Sequence, residues 1–152
     1  MTPDGQTRLR EELRRLKDVE MPRVVKDISV ARDHGDLSEN AEYHAAKERQ
    51  GMIHARMLHL ESVLSRAEVI DPSKLAGDKV QFGARVKLVN SDSGEEIEYQ
   101  IVGPDEADIK LGRISIASPL ARGLIAREVG DEVKVSLPNG QRTYEILDIK
   151  YA

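Results

Sequence analysis

Tyr43, Ala46, Gln50, Ile53, Met57, Leu60, Leu64 and Ala67 recur in alternating steps of three and four, which is a heptad seam. A helix with one narrow apolar stripe and charge elsewhere buries that stripe only against a second helix. A weaker stripe lies upstream, in Leu9, Leu13 and Leu16 and then Val24, Ile28 and Ala31. Its phase drifts around Glu20 to Pro22, and the jump from Leu13 to Val24 is a stutter-like step that relaxes a supercoil locally. Pro22 has no N–H to donate, so it should bend this helix or leave one backbone bond open. Thr2 as cap and Pro3 as first helical residue start the first helix, which is expected to reach about Asp33. The second is expected from about Leu37 to Arg66. A connection of only a few residues forces the two to lie antiparallel. With roughly 30 residues in each helix, the hairpin would be about 45 Å long.

The bend carries charge. Within ARDHGDLSENAEYHAAKERQ, from Ala31 to Gln50, His34 and Gly35 interrupt the first helix, and Asp36, Leu37, Ser38 and Glu39 open the second. Asp36 and Glu39 are three residues apart and share a face at a helix start. Two compatible roles follow. Asp36 can cap the helix while Glu39 closes a reciprocal bond, both acids favouring the positive end of the dipole. The same pair can help hold Mg²⁺, which is commonly bound by one or two carboxylates together with phosphates and water. Two acids at a tip have no wall to exclude water and no held nucleophile, so they do not form a complete hydrolytic site. They could complete the two-metal phosphoryl-transfer site of another protein. Arg32, Lys47 and Arg49 stand behind the acids, either as phosphate contacts or as ordinary helix surface. His34 and His44 are weaker metal candidates without an H-E-x-x-H pattern, and His54 and His59 do not share a face well.

Composition narrows the remaining classes. The chain has no Cys, which removes disulfides, thiolate nucleophiles and sulfur metal sites and fits a reducing compartment. Aromatics make up 3%, with Phe82 the single Phe, which argues against a deep pocket for an aromatic ligand. The net charge of −4 argues against holding nucleic acid by bulk electrostatics. Neither a signal peptide nor a membrane span is visible, so a cytoplasmic setting is expected. No phosphate-binding Gly loop and no G-x-S-x-G elbow is present.

After Arg66 the period changes. IDPSKLAGD, from Ile70 to Asp78, has the Pro, Gly and Ser of a linker, and divides the chain into domains 1–74 and 75–152. Beyond it, Val80 to Leu88, Ile97 to Ile101, Ile109 to Ile116, Val133 to Leu137 and Tyr144 to Tyr151 suggest strands. Bends are expected at Gly83 and Gly112, and turns at NSDSG and PNG. Ser118 with Pro119 should start a short helix through Ala126. The expected fold is α+β, a helical hairpin followed by a small antiparallel sheet crossed by one helix.

HGDLSENAEYHAAKERQG, from His34 to Gly51, closely resembles the tip motif of the GreA/GreB transcript cleavage factors of bacterial RNA polymerase. The likeness covers nearly the whole chain: Thr2, Gly5, Leu9, Glu12 and Leu13 resemble that family's opening, and EYQIVGPDEAD and ISIASPLARGLIAREVGDEV its C-terminal part. The resemblance implies an antiparallel coiled coil followed by an FKBP-like domain. It implies a monomer that binds RNA polymerase at the rim of its secondary channel and inserts the coil. Asp36 and Glu39 would then help hold a Mg²⁺ ion shared with the polymerase site, so that backtracked RNA is cut and its 3′ end restored. By motif position, Arg32 and Lys47 would contact RNA, and Ser118, Pro119, Leu120 and Ala121 would dock on the polymerase. The intact acids favour a non-autonomous cleavage cofactor, GreA-like rather than GreB-like. A channel-blocking inhibitor on the same scaffold and a plain coiled-coil adaptor are the rival readings.

Overall fold

The computed structural model describes residues 1–35, 40–75 and 77–151. The chain separates into two compact units, one of Asp4–Glu68 and one of Met1–Pro3 with Val69–Ala152.

The helical unit contains α1 (Pro3–Arg15), α2 (Met21–Arg32) and α3 (Ala41–Arg66). Between α1 and α2 the backbone widens into a π-helical turn, Leu16–Glu20, in which the Met21 N–H bonds the Leu16 carbonyl five residues back. This turn is how the structure resolves the phase drift. Pro22 cannot donate and its ring crowds the carbonyl four residues earlier, so an added residue in the preceding turn relieves the clash and re-phases the stripe. The helix therefore runs on through Pro22, with Val24, Ile28 and Ala31 buried beyond it. On α3, every residue of the heptad seam is buried or half-buried, and Val63 alone joins them from the other helical positions. Leu60 and Ala46 are the most enclosed. Outside the seam, charged pairs span the helices. Arg56 grips Glu12 with two bonds of 2.8 and 3.0 Å, and Lys17 meets Glu61 at 3.1 Å. These pairs are exposed, and contribute at most about 1 kcal/mol each.

The second unit is a five-stranded sheet in the order β3-β2-β1-β5-β4. Its strands are β1 (Arg85–Asn90), β2 (Glu96–Val102), β3 (Arg113–Ser115), β4 (Glu132–Leu137) and β5 (Gly140–Lys150). Neighbours are antiparallel except β3, which runs parallel to β2. One helix, α4 (Pro119–Leu124), covers the apolar face. Val86 pairs with Tyr99 and Ile149, and Leu88 with Ile97 and Ile146, so these two rows across the sheet present apolar side chains to one core. Ala121 and Leu124 close that core from α4. Leu88, Ile101, Leu124 and Ile146 are fully buried, each contributing about 1.5–3 kcal/mol by leaving water.

Several local expectations change. Val80 and Phe82 precede β1 instead of belonging to it, because Gly83 turns the chain at φ 85°. A Cβ there would lie 2.9 Å from the Pro72 ring, so only glycine fits this approach. Ile109–Leu111 is a 3₁₀ turn that ends at Gly112, leaving Ile109 and Leu111 exposed and β3 short. In β5 the register shifts by one residue at Leu147, a bulge. It explains why the apolar positions Tyr144, Ile146, Ile149 and Tyr151 break strict alternation. Helix α4 stops at Leu124, before Ala126 with its φ of 66°.

Candidate functional site at the helical bend

The bend is built from the ends of α2 and α3. The last turn of α2 closes when His34 N–H donates to the Ala31 carbonyl at 3.1 Å, and Gly35 follows at φ 108°, where a Cβ would be strained. Asp36 and Glu39, with Leu37 and Ser38, lie outside the described residues. The chain is next described at Asn40, which is the N-cap of α3, its Oδ1 accepting from the Tyr43 N–H at 3.0 Å. The expected start of the second helix at about Leu37 is therefore corrected: α3 begins at Ala41. Asn is among the best capping residues, and its extended backbone lets the side chain fold over the first turn.

The same carboxamide also reaches the other helix. Asn40 Nδ2 donates to the Ala31 carbonyl at 2.5 Å, so one side chain adds a second donor to a carbonyl in the last turn of α2 and satisfies an orphan N–H of α3. Beneath it, Ala31 and Ala46 are almost completely buried. Val24 and Ile28 cluster with Ala46, and Tyr43 packs half-buried against them.

Charge surrounds this small-residue seam. His34 faces Glu42 at 3.4 Å, and Arg49 faces Asp27 at 3.4 Å. Arg32, in the last turn of α2, and Lys47, on α3, are both exposed, and the Lys47 ammonium donates to Gln50 at 3.3 Å. Among the described residues no three His, Asp or Glu side chains come together as metal ligands, so the His34 and His44 metal reading gains nothing here.

The suspected docking segment opens α4. Ser118 Oγ accepts from the Ala121 N–H at 3.2 Å and Pro119 occupies the first turn, as the cap-and-proline pattern requires. Pro119 is exposed, Leu120 is half-buried against the sheet core, and Ala121 is fully buried. Of these apolar side chains, only Pro119 and the outer part of Leu120 are accessible.

Two further positions are absent from the sequence reading. Asn40 could have been found as a capping residue just before the heptad seam. Glu106 could not. It sits in a polar stretch that reads as a turn, yet its carboxylate is 3% exposed and accepts from the Thr2 N–H, the Thr2 hydroxyl and the Gly103 N–H.

These features define a protein whose charged residues of interest stand at a helical bend, with a separately packed sheet unit. Two family models match the chain: "Transcription elongation factor, N-terminal" over residues 1–69 and "Transcription elongation factor, GreA/GreB, C-term" over residues 75–151. The chain is 57% identical to the transcription elongation factor GreA of Rhodospirillum rubrum over 99% of its own length and 96% of that protein. It is 56% identical, with the same coverage, to the GreA of Rhizobium leguminosarum bv. trifolii. Among solved structures, the GreA factor homolog 1 protein of Thermus thermophilus is 30% identical over 99% of this chain and 97% of that one, with a TM-score of 0.44. The chain belongs to the GreA/GreB family of transcription elongation factors. No helix among the described residues is long and apolar enough to cross a membrane.

Proposed function

We propose that the protein binds bacterial RNA polymerase at the rim of its secondary channel and inserts the α2–α3 bend. There it stimulates the polymerase's own Mg²⁺-dependent cleavage of backtracked RNA. The observation that carries this reading is the family match over both parts of the chain together with the position of Asp36 and Glu39 in the sequence between α2 and α3.

Asp36 and Glu39 are the residues that would hold the ion, and two carboxylates suit Mg²⁺, which takes its other ligands from phosphate and water. Bound there, Mg²⁺ supplies an activated water and charge neutralisation at the scissile phosphate. The chain's own part is to carry the carboxylates and present them from a narrow stem. Arg32 and Lys47 supply positive charge for the RNA backbone. Pro119 and Leu120 supply an apolar contact beside a rigid helix start for the polymerase. The protein by itself is then not a nuclease.

The test is a stalled, backtracked elongation complex incubated with the protein and Mg²⁺. Shortened RNA is expected with the protein and none with protein and RNA alone. Because the cap of α3 is Asn40, Asp36→Asn and Glu39→Gln leave that cap intact. Each should bind polymerase and melt normally and lose most cleavage, with partial recovery at higher Mg²⁺ by mass action. Blocked synthesis without cleavage by the wild type would instead establish a channel-blocking inhibitor.

A further inference from the structure

The Asn40 carboxamide is the one side chain the structure describes as hydrogen-bonded to the backbone at both ends of the bend, Ala31 on α2 and Tyr43 on α3. We propose that Asn40 is a positioning residue: by clamping the two helix ends together, it fixes where the segment bearing Asp36 and Glu39 begins and ends. This role rests on the functional reading above.

The chemistry needs an amide at this position. Only Asn combines the short acceptor that caps α3 with an N–H donor long enough to reach a carbonyl across the hairpin. Ser or Asp would cap α3 equally well. Ser has a single short hydroxyl in place of two separate polar atoms, so the atom that caps α3 cannot also reach as far as the Asn Nδ2 does, and Asp would set a carboxylate against the Ala31 carbonyl. Capping stability therefore does not by itself require Asn. Two other features concentrate at the same point. Ala31 and Ala46 are small and buried, which lets the helices approach closely enough for one short side chain to bridge them. The Ala31 carbonyl also receives the His34 N–H, so the last turn of α2 and the clamp share an acceptor. A displaced clamp would shift the start of the bend relative to its end. For charges that must meet an ion held by another protein, a misplacement of about an ångström costs on the order of a hundredfold in rate.

Asn40→Ser is the discriminating variant, since it retains the cap, keeps the charge and removes the amide N–H that reaches Ala31. In the free wild-type protein, NMR should show the Asn40 carboxamide protons exchanging with water more slowly than those of exposed Asn139. Equal exchange would overturn the clamp before any activity is measured. With backtracked complexes, Asn40→Ser should melt and bind polymerase like wild type, while cleavage falls about tenfold to a hundredfold and half-saturation moves to higher Mg²⁺. In the Asp36→Asn background the same substitution should cost little further, because the group it positions is already disabled. Wild-type cleavage by Asn40→Ser, or full additivity with Asp36→Asn, overturns the positioning role alone. A wild-type protein that leaves the RNA uncut removes the functional reading and this role with it, so the two failures are distinguishable.

Discussion

Replacing Glu106 by Gln should weaken the sheet unit by about 1–3 kcal/mol, although it removes a charge and no volume. Glu106 Oε1 accepts from the Thr2 N–H at 2.8 Å and from the Thr2 hydroxyl, and Oε2 accepts from the Gly103 N–H at 2.8 Å. A Gln side chain has one oxygen and one NH₂. If its oxygen faces Thr2, the Gly103 N–H meets a donor; if it faces Gly103, the Thr2 N–H does. Either way one backbone N–H loses its carboxylate acceptor, at about 1–3 kcal/mol, and the surviving bonds lose their charge assistance, which roughly halves them. Against this, the neutral amide escapes the desolvation cost of a carboxylate that is 3% exposed, which offsets part of the loss. Glu106→Ala gains the same relief but takes away the acceptors of Thr2 and Gly103 together, and should be the more damaging. Thr2→Val removes only the hydroxyl and should cost about 1 kcal/mol. Urea unfolding followed by tyrosine fluorescence reports on the unit, because Tyr99, Tyr144 and Tyr151 belong to it and only Tyr43 to the helices. A Glu106→Gln midpoint equal to wild type, at an unchanged slope, would refute the argument and show that this carboxylate contributes no net stability.

Gly123→Ala should destabilise the sheet unit by about 1–3 kcal/mol, since its Cβ would stand 2.8 Å from Val133 Cγ1 where α4 crosses β4; thermal melting checks it. Pro119→Glu should lower polymerase affinity in competition binding while circular dichroism stays native, because an exposed acid suits the first turn of α4. Burial raises the ionisation of Tyr99 and Tyr151 above the ordinary 10.0. The unfolded chain therefore loses those protons first, and stability should fall as pH rises past about 10; urea midpoints measured across that range, compared with Tyr99→Phe, test the sign.

The heptad seam was legible because an exposed two-helix pairing has a single requirement, one apolar stripe per helix, and that requirement is written residue by residue. The cap-and-proline start at Ser118 and Pro119 was legible for the same reason: it is a local geometry fulfilled by adjacent residues. The family motif likewise named Asp36 and Glu39, which fall outside the described residues. What depended on distant partners stayed hidden. The π-helical turn before Pro22 is one of several ways to absorb a proline and a phase slip, and packing against α3 selects among them. The parallel pairing of β3 depends on how the chain returns after Gly112, which alternation within β3 does not encode. How far Leu120 and Ala121 are buried depends on α4 lying against the sheet, which half-buries the first and encloses the second. Glu106 reads as a polar turn residue, and its burial depends on Thr2, 104 positions away. A hydrogen bond between remote residues leaves no periodic trace in either segment, so only the folded chain could reveal it.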